Sequence, residues 1–234
     1  MFHTLGVRYL TLTHNGTTDW CDAALDEHRH GGLNSFGLSV IAEMNRLGMM
    51  IDISHASHDA MRQAARISGA PIIASHAAAY GVLPIDRNIP DDVIELVAGK
   101  GGLIMMHFCS GFLDARSAEA CQRLESIERE LRATYQRDED YRKARSAYLA
   151  THPIPRSTIH TMIDHIDHIV RVAGIDHVGL GSDYDGMDTV PQGLEDVSCY
   201  PNITQVLLDR GYPEAEIRKI LGENLLRVLR EVTG

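Results

Sequence analysis

Residues 48–76 have the sequence GMMIDISHASHDAMRQAARISGAPIIASH, and this stretch decides the fold. Two short apolar runs, 49–53 and 71–74, are each followed by a Ser-His pair, at His55 and His76. The first run is too short for a helix and the second is rich in β-branched residues, so both predict buried strands. The segment between them has the apolar spacing of a helix. A strand–helix–strand unit of this kind implies parallel strands.

The two histidines lie at the carboxyl ends of their predicted strands, which is where parallel α/β folds place their chemistry. Neutral imidazole is a common zinc ligand, so His55 and His76 can point at one ion. The alternative is that each histidine caps its strand and bonds a nearby backbone group. The repetition of Ser-His at matching positions favours the metal interpretation.

Three further runs of β-forming residues predict strands that end at His14, Phe108 and Asp183. Asp183 falls where the strand-end histidines fall in their own units. An alternative for the segment around Asp183 is a turn rich in aspartate and glycine. Because helical patterns separate the strands, the sequence predicts a parallel α/β fold, of which the β/α barrel is one form.

The other segments have helical spacing of apolar residues. Residues 113–150 are dense in charge and predict a helical excursion over the barrel mouth, with a solvated face. The tail predicts amphipathic helices over 203–211 and 213–232, which we expect on the outer side of the barrel. His165 and Asp167 resemble a metal pair, but residues two apart on a helix do not share a face. We therefore expect solvated polar side chains there.

Composition limits the choice of function. At 234 residues the chain suits one domain, 1–234, and its net charge of −10 makes nucleic acid and anionic membranes poor partners. No apolar run has membrane-spanning length and no signal pattern opens the chain, so we expect a cytoplasmic protein. The four cysteines lack CxxC spacing and are expected to be reduced thiols: Cys21, Cys109, Cys121 and Cys199.

Seven segments, in order along nearly the whole chain, resemble the membrane dipeptidase (renal dipeptidase) family of zinc peptidases. The segments are GVRYLTLTH (6–14), NRLGMMIDISH (45–55), SHAAAY (75–80), RNIPDD (87–92), HVGLGSDYDG (177–186), GLEDVS (193–198) and ENLLRV (223–228). This resemblance implies a TIM-type (β/α) barrel with a two-zinc site at its carboxyl end. It also implies hydrolysis of dipeptides, often with tolerance for a D-residue at the C-terminal position.

The resemblance also implies roles for individual residues. His55 and His76 match the imidazole ligands of one zinc, and His14 matches the histidine that contacts the substrate carbonyl. Arg87 matches the arginine that receives the dipeptide carboxylate, and Asp183 matches the acid beside the bridging water. Zinc makes hydroxide available near neutral pH, and the acid can move the proton to the leaving amine. The histidine at 14 can stabilise the oxyanion, and the arginine offers a planar fork to a carboxylate.

The chain departs from the family in one respect. The family also uses a His-x-Asp pair on the first barrel strand and a bridging glutamate on a later strand, and neither is present here. We count five strands of an expected eight. We therefore expect the C-terminal part of a dipeptidase, with an incomplete barrel that keeps the histidines of one zinc and lacks the ligands of the other.

Two function classes follow from that departure. The first is a zinc dipeptidase, as a fragment of a longer enzyme or completed by another chain. The second is a non-catalytic remnant that binds one metal, a peptide or a partner chain, and a one-metal hydrolase with other substrates is a weaker third. Open strand edges would favour association, with a homo-oligomer as one form, and at best weak activity of this chain alone.

Overall fold

Five short parallel strands form one sheet, and they pair in chain order from β1 to β5. The computed structural model describes all residues from 1 to 234. The strands are β1 (Tyr9–Thr11), β2 (Met50–Asp52), β3 (Ile73–Ala77), β4 (Leu103–Met106) and β5 (Val178–Leu180). The predicted α/β fold, with five strands of a partial TIM-type barrel, is confirmed. Strands β1 and β5 are the two edges of the sheet.

Nine α-helices connect and cover the strands. They are α1 (Ser35–Leu47), α2 (His58–Ile67), α3 (Asp91–Gly99), α4 (Ala115–Thr134), α5 (Asp138–Thr151), α6 (Ile159–Ala173), α7 (Tyr200–Asp209), α8 (Glu214–Arg218) and α9 (Asn224–Thr233). Local sequence sets their ends. The Ser57 hydroxyl accepts a hydrogen bond from the Ala60 amide at the start of α2, and Gly48 ends α1 with φ of 70°. None of the helices is long and apolar enough to cross a bilayer.

The strands bury apolar side chains on both faces of the sheet. The outer face packs against α1, α2, α3 and α6, and its strand residues include Ile51, Ala74, Ile104 and Val178. The inner face is the opposite one, and its buried residues are Met50, Ile73, Leu103 and Met105. These four residues form a separate cluster with Val228 and Val232 of α9.

The tail therefore divides between the two faces. Helices α7 and α8 contribute to the outer cluster, as predicted. The prediction is wrong for α9, which covers the amino half of the inner face. The reason is an apolar stripe with helical spacing on α9 that matches the apolar amino halves of β2, β3 and β4. The stripe consists of Leu225, Val228, Leu229 and Val232.

The predicted excursion over 113–150 forms helices α4 and α5, which pack against each other. Arg145 of α5 fastens them to the loop after β5. Its guanidinium pairs with Glu128 of α4 at 2.5 Å and with Asp188 of the loop at 2.6 Å. These pairs hold α4 beside the carboxyl edge of the sheet, where its side chains form one wall of a cleft.

Candidate active site

Each strand contributes one polar side chain to the carboxyl edge of the sheet. His14 follows β1, His55 follows β2, His76 lies in β3, His107 follows β4, and Asp183 follows β5. Neighbouring imidazole rings have centroids 4.6, 4.8 and 5.3 Å apart along this row. The Asp183 Oδ2 atom lies 3.3 Å from Nε2 of His107. The structure thus brings together four side chains that were predicted from the sequence, and His107 is a fifth that was not predicted.

His55 and His76 approach each other through their Nε2 atoms, which are 2.8 Å apart. Two imidazoles on one tetrahedral zinc would have these nitrogens about 3.3 Å apart, given Zn–N distances of about 2.0–2.1 Å. Burial lowers the pKa of His55 to about 2 and also lowers the pKa of His76, with a further contribution from the Arg87 charge. Both rings are therefore neutral at pH 7, which is the form that binds metal.

The backbone at two of the five positions is strained. His55 has φ of 65° and Asp183 has φ of 60°, in the left-handed region that side chains usually avoid. Such residues cost about 1–3 kcal/mol each and cluster at functional sites. Glycine is required near the second of them, because a Cβ at Gly186 would lie 2.5 Å from Asp183 Oδ1.

His107 was missed by the sequence analysis, which ended the fourth strand at Phe108. Its side chain is only 2% exposed. The Cys109 amide donates to His107 Nδ1 at 2.7 Å, so the neutral ring carries its proton on Nε2 and donates it to Asp183. This hydrogen bond holds the pKa of Asp183 below its usual range. The signal for His107 was present, since it is a strand-end histidine like His55 and His76.

The donor atoms suit a divalent metal, with His76 at the centre of the set. Donor atoms of His76, His107 and Asp183 lie within 4.8 Å of one another. Because the Cys109 amide occupies Nδ1 of His107, the ring proton is fixed on Nε2 and that atom is not available as a metal ligand. His55, His76 and Asp183 remain as candidate ligands. Neutral imidazole and carboxylate are both ordinary zinc ligands. The residues present therefore fit a metal ion held mainly by the two adjacent imidazoles.

Arg87 lies beneath this row, 1% exposed. Its Nη2 donates to the His76 carbonyl at 3.0 Å, while Nε and Nη1 have no hydrogen-bond partner. No carboxylate pairs with it, and the Phe112 ring centroid lies 5.5 Å from the guanidinium carbon. Burial lowers the pKa of Arg87 to about 10, so it remains charged at pH 7. A buried cation with unsatisfied donors is costly, and it indicates a site for an anionic group.

A cleft of about 500 Å³ opens above the histidines, a volume typical of small-molecule sites. His14, His55, His107 and Asp183 line it, whereas His76 and Arg87 do not. Its lining also includes Phe112 and, from α4, Leu124, Glu125 and Glu128. Side chains that could bind a metal and side chains that could contact a substrate therefore share one opening.

The His165 and Asp167 pair lies outside this site. His165 is fully buried, and its two nitrogens bond the Ala79 amide and the Leu113 carbonyl, each at 3.0 Å. Asp167 accepts hydrogen bonds from Arg210 and from the Tyr212 hydroxyl. Neither side chain is free to bind a metal. The expectation of solvated side chains is wrong for His165, because it joins α6 to two loops.

Comparison with known proteins agrees with this geometry. Residues 1–234 match the model of the membrane dipeptidase family, peptidase family M19. The probable dipeptidase PvdM from Pseudomonas aeruginosa is 30% identical, with a TM-score of 0.83 over 99% of this chain and 64% of that one. A metallo peptidase from Rhodobacter sphaeroides, liganded with a phosphinate mimic of the dipeptide L-Ala-D-Ala, is 30% identical, with a TM-score of 0.75 over 99% of this chain and 57% of that one.

An amidohydrolase from Pseudomonas aeruginosa is 26% identical to the chain, with a TM-score of 0.76. The match covers 100% of this chain and 67% of that protein. The chain thus spans between 57% and 67% of the length of these three solved proteins. Each match covers at least 99% of this chain.

Proposed function

The chain belongs to the membrane dipeptidase family, and from this membership we propose that it acts in metal-dependent hydrolysis of dipeptides, with zinc as the metal. One observation carries the proposal: the buried guanidinium of Arg87 is hydrogen-bonded to the backbone carbonyl of His76 and keeps two unpartnered nitrogens, while Nε2 of His76 faces His55. A free dipeptide offers an anionic carboxylate close to its only peptide bond. The site offers a cation in contact with the backbone of one of the two candidate metal-ligating histidines.

His55 and His76 would hold the metal through their Nε2 atoms, and burial keeps both rings in the neutral form that this requires. When bound, zinc supplies Lewis acidity and lowers the pKa of a coordinated water toward neutrality. Asp183 is ionised at pH 7 because His107 donates to it. It can therefore accept a proton from the attacking water and deliver it to the leaving amine.

His14 and Arg87 act on the substrate in this proposal. His14 is exposed in the cleft and lies beside His55, so it can donate a hydrogen bond to the carbonyl oxygen as negative charge develops there. Arg87 would receive the free carboxylate through Nε and Nη1. Phe112 lines the cleft and lies against the guanidinium, so we expect its ring to turn aside when the carboxylate binds. Binding the carboxylate this close restricts the substrates to dipeptides.

A second candidate function is the binding of one metal ion or a peptide without hydrolysis. The observation that favours it is the commitment of His107 to Asp183, which leaves His55, His76 and Asp183 as metal ligands. Catalytic zinc usually has three protein ligands. If Asp183 becomes the third, it is less available to accept a proton from water.

Zinc content and release of alanine from L-Ala-D-Ala, measured on the same samples of residues 1–234, test both candidates. We compare wild type with the double variant His55→Ala/His76→Ala and with His160→Ala, which removes an exposed histidine of α6. The proposal predicts stoichiometric zinc in wild type and His160→Ala, with alanine release at the weak rate expected of this chain alone, and loss of both in the double variant. Zinc without alanine release would favour the second function. Equal zinc content in all three proteins would show that the two histidines are not ligands.

A further inference from the structure

Asp52 is the last residue of β2, and it has no role in the chemistry described so far. Its side chain is completely buried and accepts four hydrogen bonds. The donors are the Thr11 hydroxyl at 2.6 Å, the Ser54 amide at 3.0 Å, and the Ser75 amide and hydroxyl at 2.8 and 2.5 Å. Thr11 is in β1 and Ser75 is in β3, so a single carboxylate joins three strands at the carboxyl edge.

Four converging donors match the acceptor capacity of an ionised carboxylate. An ionised carboxylate cannot donate, so the hydroxyl proton of Ser75 must be directed at Asp52 Oδ2. The same hydroxyl oxygen lies 2.7 Å from Nδ1 of His76. Since the Ser75 proton is already committed, His76 must be the donor in this second hydrogen bond. The proton of the neutral ring is therefore on Nδ1, and Nε2 of His76 has a free lone pair.

That lone pair points to the place where the metal would bind, because Nε2 of His76 faces Nε2 of His55 at 2.8 Å. The His55 ring has no corresponding partner: its only hydrogen bond is the one to the His76 ring. Its proton is therefore on Nε2 in the metal-free protein and must move before the ring can bind a metal. The two histidines differ, with His76 prepared as a ligand and His55 adaptable.

We propose that Asp52, acting through the Ser75 hydroxyl, is a positioning residue that fixes the tautomer of His76 and presents its Nε2 to the metal. The metal part of this proposal rests on the proposed function. The tautomer part does not, because it follows from hydrogen bonds of the metal-free chain. Groups that orient a metal-bound histidine in this way typically change metal affinity by about 10- to 100-fold when they are removed.

The first test is the tautomer of His76 in metal-free protein at pH 8, measured by long-range ¹H–¹⁵N correlation NMR, with His76→Gln to assign the signal. We expect the Nδ1–H form in wild type and in Ser75→Thr, which keeps the hydroxyl. Ser75→Ala should show the Nε2–H form or a mixture. An Nε2–H signal in wild type would overturn the proposal, and this measurement on wild type does not depend on how any Ser75 variant folds.

The second test is zinc affinity, measured by competition with a chromophoric chelator. Ser75→Ala should weaken binding about 10- to 100-fold, with Ser75→Thr close to wild type. The matched control is Thr11→Val, which removes a hydrogen bond to the same Asp52 oxygen without touching His76, and should cost no more than about threefold. Equal losses of zinc affinity in Ser75→Ala and Thr11→Val would mean that Asp52 only joins the strands, and would overturn its proposed role in positioning His76.

The two tests separate this proposal from the proposed function. If wild type binds no zinc but has the Nδ1–H tautomer at His76, the control of this tautomer by Asp52 and Ser75 is supported and the metal assignment is wrong. If wild type binds zinc, and Ser75→Ala has the same zinc affinity and the same His76 tautomer as wild type, the metal assignment is supported and the positioning role of Asp52 is wrong.

Discussion

The two halves of the inner face of the sheet are neighbours along the strands and differ completely in chemistry. In the amino half, Met50, Ile73, Leu103 and Met105 pack against α9. Two residues further along the same face of β2 and β3 are Asp52 and Ser75, and His107 lies two residues beyond Met105. Side chains that alternate along a strand share one face. A single step of that alternation therefore separates an apolar core from a hydrogen-bonded polar site.

The comparison shows how stability and function are divided along each strand. The amino half gains free energy from burial of apolar surface. The carboxyl half contains features that cost free energy: positive φ angles at His55 and Asp183, and two unpartnered nitrogens of Arg87. This division is typical of β/α barrels, where residues at the amino end stabilise the fold and those at the carboxyl end do the chemistry.

The largest expected effect is that of Arg87→Met on hydrolysis. Under the proposed function Arg87 binds the substrate carboxylate, so its removal should raise the activation free energy for kcat/KM on a dipeptide by about 2–5 kcal/mol, which is roughly a 30- to 5,000-fold loss. A dipeptide amide has no carboxylate and should be hydrolysed at nearly the same rate by both proteins. The free energy of unfolding should fall by no more than about 1 kcal/mol, since only one hydrogen bond to the His76 carbonyl is lost.

The control for this experiment is Arg66→Met, which removes an exposed arginine from α2. It should leave both substrates unaffected. Equal losses on the dipeptide and on its amide in Arg87→Met would show that the arginine supports the fold and does not bind the substrate carboxylate. The carboxyl half of the face would then also serve stability.

A substitution in the apolar half should lower the stability of the protein and leave its site unchanged. Leu103→Ala leaves a cavity under α9 and should lower the free energy of unfolding by about 2–5 kcal/mol, measured by urea denaturation. The zinc affinity of the folded protein should not change. Leu226→Ala, at an exposed position of α9, is the control and should have an effect within about 0.5 kcal/mol. A loss of zinc affinity in Leu103→Ala would show that the two halves are coupled.

The sequence was sufficient to predict the strands and most of the site because both depend on local patterns. Apolar runs that end in Ser-His mark strand ends directly, and His14 and Asp183 follow the same rule. His107 was missed because the predicted strand end was placed one residue beyond it, at Phe108. Asp52 was not selected, although it is part of the same pattern, because its role depends on donors from β1 and β3 that are distant in sequence.

The position of α9 was also beyond what the sequence could show. Its apolar stripe fits either face of a sheet, and only the tertiary packing decides which face it covers. Similarly, the sequence places Arg87 in a loop, but its burial without an anionic partner is visible only in the fold. The sequence pattern predicts which residues lie near the site. Polar groups without hydrogen-bond partners, such as the Arg87 nitrogens, indicate its chemistry, and they can be recognised only once the packing is known.

An effect of intermediate size is expected from pH, in metal-free protein. Burial lowers the pKa values of His55, His76 and His107, so these rings stay neutral when folded, while in the unfolded chain they gain protons below about pH 6.5. Stability should therefore fall as the pH falls below 6.5, by up to about 1.4 kcal/mol per pH unit for each ring. Urea denaturation at pH 8.0 and pH 5.5 measures this slope.

Two variants test whether the pH dependence of stability comes from the polar half of the inner face. His55→Gln/His76→Gln should reduce the slope, because two of the titrating rings are gone. Leu103→Ala should lower stability at every pH without changing the slope, since it removes no titratable group. A slope that is the same in wild type and in the histidine variant would assign acid sensitivity to other parts of the protein.

The smallest expected effect concerns the wall of the cleft that α4 supplies. Glu125 lines the cleft and has no ion-pair partner, whereas Glu128 and Asp188 share Arg145. A lysine side chain of a bound dipeptide would be attracted to Glu125 by about 0.2–1 kcal/mol, the usual range for exposed pairs. Glu125→Gln should therefore lower kcat/KM for a lysine-containing dipeptide by about 1.4- to 5-fold relative to an alanine-containing one.

The matched control is Glu130→Gln, which makes the same change of charge on the same helix outside the cleft. Because the attraction is screened, the difference between the variants should disappear at about 1 M salt. Equal ratios for the two variants at low salt would show that the wall does not contact the substrate, and that recognition is confined to the polar half of the inner face.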